Sequence, residues 1–370
     1  MKRNKKIRLI LAVIIMISLM LSSCGPSEPA QAEAPEEPVN PNLETVIDSA
    51  GRTVYIPEEI DSISALYTVA GHIIIMLDEG DKITSCSNGL KRDKLILNME
   101  PSINDIYLPK VGGIVNIEEL LNSNPDIILL DAPLYWNKGE LEKIENMNIP
   151  YYVVEFNSMD EEKKLVQDIG KIIGREEAAQ EYIDFYDEVL ALVDETVTAI
   201  PEGEKRQVYH AINEAVRTSA TNTITAEWVE RAGLVNVAAD NSLTKDEDKY
   251  YTTLEDILKW NPEVIIANDP GAHEYIKTQV AWKNIEAVLN DDVYLLPTGI
   301  SRWGHSTSLE TPLAMLWALE TLYPEHAEGI DLKAYTRRFY EELFEYDLTD
   351  EELEAILKGV DMRKAKNLED

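Results

Sequence analysis

Residues 175–200 read REEAAQEYIDFYDEVLALVDETVTAI. Ala179, Tyr182, Tyr186, Val189, Val193 and Val197 recur at intervals of three and four, which gathers them on one face of an α-helix. Gly174 before the stretch and Pro201 after it are poorly tolerated inside helices and so bound it. At about 1.5 Å per residue this helix is roughly 40 Å long, the width of a small domain. It is long enough to join two halves of a molecule.

The flanking sequence supplies two such halves. Residues 117–133, Ile117-Glu118-Glu119-Leu120-Leu121 through Asn124-Pro125-Asp126 to Asp131-Ala132-Pro133, align without gaps on residues 254–270, Leu254-Glu255-Asp256-Ile257-Leu258 through Asn261-Pro262-Glu263 to Asn268-Asp269-Pro270. Each copy reads as a short helix, an Asn-Pro turn, a buried apolar strand and a loop. A further short strand follows in each half, Tyr151 to Glu155 and Val293 to Leu296. A supersecondary unit repeated on either side of a long helix predicts two α/β lobes joined by it. The expected divisions are a leader at 1–23, a tether at 24–44, an N-terminal lobe at 45–174, the connecting helix at 175–200, a C-terminal lobe at 201–345 and a helix and tail at 346–370.

Lys2, Arg3, Lys5, Lys6 and Arg8 precede an apolar run from Leu9 to Leu21, too short for a comfortable membrane span. Leu21-Ser22-Ser23 then leads into Cys24. This segment resembles a bacterial lipoprotein signal, which implies cleavage before Cys24 and lipidation of its thiol; an ordinary secretory signal with an incidental cysteine is the alternative. Cys86 is the other cysteine, so no disulfide framework competes for Cys24, and Cys86 is expected to be buried and inert. Gly25 to about Asn42 is rich in Pro, Glu and Ala and lacks the apolar bulk needed to order itself. The net charge of −34 falls by five, to −39, once the leader's five basic residues are removed. Such acidity excludes nucleic acid as a natural partner and suits a solvated exterior.

Within the first half, Val46 to Pro57 reads as a hairpin turning at Ala50-Gly51. Ile60 to Leu66 is the first core strand, Tyr67 to His72 a loop, Ile73 to Leu77 a helix and Lys82 to Ser85 the next strand. Strand, loop and helix in series imply a parallel sheet whose ligand crevice lies beyond the carboxyl ends of the strands. Asp48-Ser49-Ala50-Gly51-Arg52, Gly80-Asp81-Lys82-Ile83, Val111-Gly112-Gly113, Asn116-Ile117-Glu118, Arg231-Ala232-Gly233-Leu234-Val235-Asn236-Val237 and Leu316 to Glu325 occur in an order that resembles the substrate-binding proteins of ABC importers for iron-siderophores, haem and cobalamin. The resemblance runs from about Thr45 to Phe344. It implies two Rossmann-like lobes joined by one rigid helix, in agreement with the helix read independently at 175–200.

The same resemblance implies that Glu118 and Glu255, at matching places in the repeat, dock on arginines of a membrane permease, one on each lobe. An exposed glutamate at a helix start is the plainer account. The ligand is expected between the lobes. Position after a strand and chemistry select Tyr67, Asn88, Tyr135 and Trp136 from the first lobe, and Asn213, Arg217, Arg302, Trp303 and His305 from the second. Arg pairs with carboxylates and oxyanions, Trp offers a flat face, and His donates or accepts a hydrogen bond. His72 is expected at a helix start, His210 in a strand, and His273 and His326 on the surface. The helices Leu332 to Phe344 and Asp350 to Lys358 close the chain; Thr349 and Glu352 have capping-box spacing, and the last helix is expected on the second lobe.

No His-Glu-x-x-His, paired-cysteine or Gly-rich phosphate motif is present, and Gly304-His305-Ser306-Thr307-Ser308 lacks the final glycine of a nucleophile elbow. The sequence therefore reads as a monomeric, membrane-anchored, extracytoplasmic binding protein, not an enzyme, that works with an ABC permease and its ATPase and carries no cofactor of its own. The resemblance puts a ferric siderophore first as ligand, followed by cobalamin, haem, a nickel chelate or a molybdate or tungstate oxyanion. A surface-anchored hydrolase using Ser306 or Ser308 with His305 is the distant alternative. One continuous connecting helix implies lobe motions of only a few degrees.

Overall fold

Glu176–Thr198 forms the long helix, starting one residue after the expected limit and ending two before it, and buries Ala179, Tyr182, Phe185, Tyr186, Val189, Val193 and Thr196 along one face. The computed structural model describes residues 44–239, 241–246, 249–360 and 362–364. The leader, Cys24 and the tether up to residue 43 lie outside the described residues.

The first lobe is a six-stranded sheet in the order Ile114–Val115, Tyr107–Val111, Ile83–Ser87, Ile63–Ala65, Ile127–Asp131, Tyr151–Val154. All pairings are parallel except that of Ile114–Val115 with Tyr107–Val111. The second lobe is a four-stranded parallel sheet in the order Val235–Asn236, Gln207–Ala211, Val264–Ala267, Val293–Leu295. Arg217–Thr218, Lys249–Tyr251 and Thr244–Asp246 add a small antiparallel sheet. The repeat is visible in both lobes: helices Ile117–Asn122 and Leu254–Trp260 each precede a buried strand. Asn124 and Asn261, the aligned residues before proline, both take left-handed backbone with φ of 45° and 47°. Asparagine tolerates that region better than most residues, so the same turn is built twice.

The expected hairpin forms between Thr45–Ile47 and Thr53–Tyr55. Buried Asp48 ties it down, accepting from Arg52 Nη2 at 2.7 Å and from the backbone N–H of Val153 at 3.2 Å. One expected boundary is corrected: the helix placed at Ile73 starts at Thr68 and runs to Met76, so His72 stands inside it, buried, with Nε2 3.4 Å from the Asp93 carboxylate. His273 and His326 are half-buried instead of free on the surface, meeting the Val293 carbonyl at 3.2 Å and Glu204 at 3.1 Å. Cys86 is buried, and burial pushes its thiol up to about 12. The last two helices, Leu332–Phe344 and Asp350–Lys358, match the expected limits, and the Thr349–Glu352 capping box is formed.

Two buried carboxyl groups hold the connecting helix and the main second-lobe loop in place. Glu162, on the helix Met159–Ile173, meets Tyr182 Oη and Tyr186 Oη at 3.1 Å each, and Tyr182 Oη also lies 3.1 Å from the Leu309 carbonyl. Next in sequence, Glu310 accepts from the N–H and Oγ of Ser301 at 2.9 Å each and from Tyr340 Oη at 2.5 Å. This fixes the loop from Gly299 to Ser308. A Cβ on Gly299 would fall 1.8 Å from Glu310 Oε1 and 2.1 Å from Tyr340 Oη, so the loop closes only on glycine.

Burial pushes Glu162 up to about 8 and Glu310 up to about 7, against an ordinary value of 4.5. Below about pH 4.5 each is protonated in both the folded and the unfolded chain; between there and the raised value only the unfolded chain releases the proton, so stability falls as pH rises. Thermal melting between pH 5 and pH 8 is expected to show that fall in the wild type and a shallower one in Glu162→Gln; equal slopes would contradict a protonated Glu162. Gly299→Ala is expected to cost about 1–3 kcal/mol in urea denaturation through overpacking, and an unchanged midpoint would show that the loop has room to spare.

Candidate functional site

The carboxyl ends of the first lobe's central strands open on a cavity of about 380 Å³. Tyr67 follows Ile63–Ala65, Asn88 and Arg92 follow Ile83–Ser87, Lys110 lies in Tyr107–Val111, and Asp131 ends Ile127–Asp131; all five line the cavity. Lys110 is buried, with Nζ 2.5 Å from Asp131 Oδ2. Burial pushes the Lys110 ammonium down from its ordinary value and Asp131 opposes the shift. Asp131 also accepts from the Leu134 N–H at 3.2 Å, capping the short helix Ala132–Trp136. Lys110 therefore meets the cavity with its charge already paired.

On the second lobe the loop held by Glu310 brings Arg302 and His305 to Asn213. Arg302 Nη2 pairs with Asp269 at 2.7 Å, and Nη1 donates to Asn213 Oδ1 at 2.7 Å. Because a guanidinium only donates, that contact fixes the Asn213 oxygen, so its Nδ2 donates to His305 Nε2 at 3.2 Å. His305 then carries its proton on Nδ1 and donates to Thr307 Oγ1 at 3.0 Å. Burial, with the nearby guanidiniums of Arg217, Arg302 and Arg363, pushes the imidazole down to about 3. His305 is neutral at pH 7 and bonded at both nitrogens to residues other than Ser306 and Ser308. It braces Asn213. Asn213 has φ of 61°, and its N–H donates to Asn268 Oδ1 at 2.7 Å, which anchors the turn after Gln207–Ala211.

Positive charge accumulates where these parts meet. Burial and the charges of Arg363 and Arg92 push Arg302 down from its ordinary value, while Asp269 opposes them. Arg92 belongs to the first lobe and Arg302 to the second, so the two lobes place cations within electrostatic reach of each other. Arg217, half-buried on its strand, adds to the field around His305.

Tyr67 and Asn88 thus line the first-lobe cavity, and Asn213, Arg217, Arg302 and His305 stand together on the second lobe. Trp303, expected to offer a flat face, is instead fully buried in the core. Tyr135 packs at the lobe edge, with the Arg52 guanidinium 5.3 Å from its ring centre, and Trp136 beside it is 71% exposed; neither lines the cavity. Glu118 and Glu255 are exposed in the first turns of matching helices, and Glu255 lies 3.3 Å from Lys259. Arg92, Lys110, Asp131, Asp269 and Arg363 were missed from sequence. Asp131 and Asp269 carried a signal, each standing just after an apolar strand and within two residues of a helix-opening proline.

Among the described residues, no group of three or more His, Cys, Asp or Glu side chains is placed to hold a metal ion, and no helix is long and apolar enough to cross a membrane. Residues 63–298 match the family model described as periplasmic binding protein. The molybdate-binding protein MolA of Haemophilus influenzae is 23% identical over 323 residues, covering 81% of this chain and 90% of that protein. The structure of MolA bound to molybdate superposes with a TM-score of 0.73 at 22% identity, over 83% of this chain and 99% of the other. An ABC transporter substrate-binding lipoprotein of Bacillus subtilis, YvrC, is 24% identical over 293 residues, 76% of this chain and 87% of that one. Helicobacter pylori CeuE, solved with Ni(II) bound, superposes with a TM-score of 0.69 at 19% identity over 85% of this chain and 99% of the other. With two α/β lobes on one long helix and a family match over most of both lobes, the chain belongs to the periplasmic binding protein family, whose members are the solute-binding components of ABC importers.

Proposed function

We propose that this protein is the lipid-anchored receptor of an ABC importer and that its cargo is an anion, a tetrahedral oxyanion of the molybdate class or a metal chelate with net negative charge. The carrying observation is that Arg92, at the cavity wall, and Arg363 bear on Arg302, and Arg217, Arg302 and Arg363 on His305, in a chain whose net charge is −34. Local charge in a partly dry cleft outweighs the mean of the surface, and guanidiniums bind oxyanions through paired hydrogen bonds. Asn213 and the neutral His305 hold Arg302 in place without bringing further charge. The MolA of Haemophilus influenzae, named for molybdate, supports the oxyanion as first choice over the ferric siderophore suggested by resemblance. An anionic ferric chelate remains compatible with the 380 Å³ of the first-lobe cavity alone. Haem and cobalamin receive less support, because Tyr67 is the one aromatic side chain lining that cavity.

Capture, not catalysis, fits the geometry: His305 is engaged by Asn213 and Thr307, and Ser308 is buried against Ser301 at 2.8 Å. Lipidation at Cys24 would hold the protein outside the membrane, and the exposed Glu118 and Glu255 would meet a permease.

Calorimetric titration with molybdate, tungstate, sulfate, ferric citrate and nickel-histidine tests the cargo. Binding of an anion is expected, weakened about 10- to 100-fold in Arg302→Gln by loss of a charged hydrogen-bond donor; a wild type that takes up only neutral or cationic solutes would overturn the assignment. Reversing Glu118 and Glu255 together to Lys is expected to abolish uptake by whole cells while leaving the calorimetric affinity of the purified protein unchanged. Normal uptake by that double variant would remove the docking role.

A further inference from the structure

The last helix was expected to rest on the second lobe, and in part it does. The Ile356 carbonyl accepts from the Thr298 N–H at 3.0 Å, and Leu353 and Ile356 are buried in the core. Gly359 ends the helix with φ of 70°, so close to the second lobe that a Cβ there would fall 2.4 Å from the Leu296 carbonyl. The chain then reaches the other lobe. The Lys94 N–H donates to the Met362 carbonyl at 3.0 Å, the Lys364 N–H donates to the Arg92 carbonyl at 2.8 Å, and Asp93 and Arg363 form an antiparallel bridge. Arg92 returns the contact, its Nε and Nη2 donating to the Lys364 carbonyl at 3.1 and 3.0 Å. Asn98, also in the first lobe, donates to Glu352 at 3.1 Å. Met362 is buried in the main core cluster.

We infer that this C-terminal strap is a third component of the binding site, fastening the first lobe to the second and carrying Arg363 into the cleft as an anion-binding group. The inference rests on the anion-receptor reading above. Arg363 Nη2 donates to the Gly89 carbonyl at 3.2 Å, and Gly89 and Arg92 both line the first-lobe cavity. Arg363 Nε is buried and has no hydrogen-bond partner among the described residues. A buried charged donor without an acceptor is costly, and an anion that entered from the cavity wall at Gly89 and uncovered Nε would supply the acceptor. The charge of Arg363 is felt on the opposite lobe, at Arg302 and His305. Asp93 is the competing explanation: it is buried and attracted to Arg363, yet no hydrogen bond joins the two side chains. An anion bound beside Arg363 and Arg92 would tighten the strap, because Arg92 is at once cavity wall and strap anchor.

The experiment uses the mature chain, titrated with sodium molybdate and with ferric citrate at low and moderate salt. Arg363→Gln is expected to weaken binding about 10- to 100-fold and to flatten its salt dependence, with Arg363→Lys between it and the wild type. Hydrogen exchange at the Lys94 and Lys364 amides of the wild type should slow when molybdate is added, a readout that needs no variant and decides the matter if Arg363→Gln does not fold. A lowered melting temperature with unchanged affinity would make Arg363 only a partner of Asp93 and overturn the inference, as would unaltered exchange at both amides. Weakened binding in Arg302→Gln with normal binding in Arg363→Gln would reject the strap while keeping the anion receptor; a wild type that binds neither probe would reject both.

Discussion

Like charges forced together govern this molecule. Arg92, Arg217, Arg302 and Arg363 come from segments remote in sequence; Arg92 and Arg363 raise the cost of the Arg302 charge, and Arg217, Arg302 and Arg363 together hold His305 neutral. Asp269 offsets Arg302 and Asp131 offsets Lys110, and both carboxylates also cap helices, Pro270–Thr278 and Ala132–Trp136. Cations thus cluster where the lobes meet, while the chain as a whole carries a net charge of −34. On the anion-receptor reading proposed above, an incoming anion would add the negative charge that these cations lack. The acidic exterior does not contradict that preference, since exposed carboxylates more than a Debye length away are largely screened and the cleft's own groups are not.

The long helix was legible because its signal is local: apolar positions at helical spacing between a glycine and a proline. The repeat was legible for a related reason, since an Asn-Pro turn demands the same unusual backbone in both halves and leaves the same letters behind. The site was legible only in outline. Residues following strands point to the cleft as a rule of parallel sheets; Tyr67 and Asn88 do line a cavity there, and Asn213 and Arg302 meet each other on the second lobe. The rule says nothing about which way a side chain turns once the loop has folded. Trp303 shares a loop with Arg302, yet Glu310 and Tyr340 hold that loop inward at Ser301 and Ile300, and the indole goes to the core while the guanidinium goes to Asp269 and Asn213. Tyr135 follows a strand as expected but is drawn to the lobe edge by Arg52, whose own position depends on Asp48. Arg363 left no local trace, because its meaning comes from a contact 274 residues away in the chain.

Neutral groups do much of the positioning. Glu162 and Glu310 are buried carboxyls held up near or above neutral pH, and His305 is an imidazole held down to about 3. At neutral pH Glu162 and His305 organise donors and acceptors around them without the desolvation cost of a full charge, and Glu310 bears only part of it. His305 shows the benefit most directly. Protonating it would add another cation beside Arg302 and leave Asn213 Nδ2 facing a donor; the neutral form lets Asn213 present its oxygen to Arg302 and its amide to the imidazole at the same time. The second-lobe half of the site is rigid because a single asparagine is bonded in both directions.

That rigidity bears on how occupancy is reported to a membrane partner. With one helix as the sole crossing, the lobes would be free to twist about it. The strap adds a further crossing, where the C-terminal chain returns to Lys94 and to Arg92 at the wall of the cavity. The strap, the connecting helix and the Met159 N–H donating to Glu227 at 2.8 Å meet the lobes at different places and constrain both hinge opening and twist, so on the reading proposed above a bound anion would chiefly tighten contacts already present. Glu118 and Glu255 each open a helix whose following strand ends at the cleft, through the same Asn-Pro turn. Small adjustments at the strand ends would therefore be carried along two equivalent paths to the two exposed glutamates. A partner reading their spacing would sense the cargo through the sheets themselves, without a large closure of the lobes.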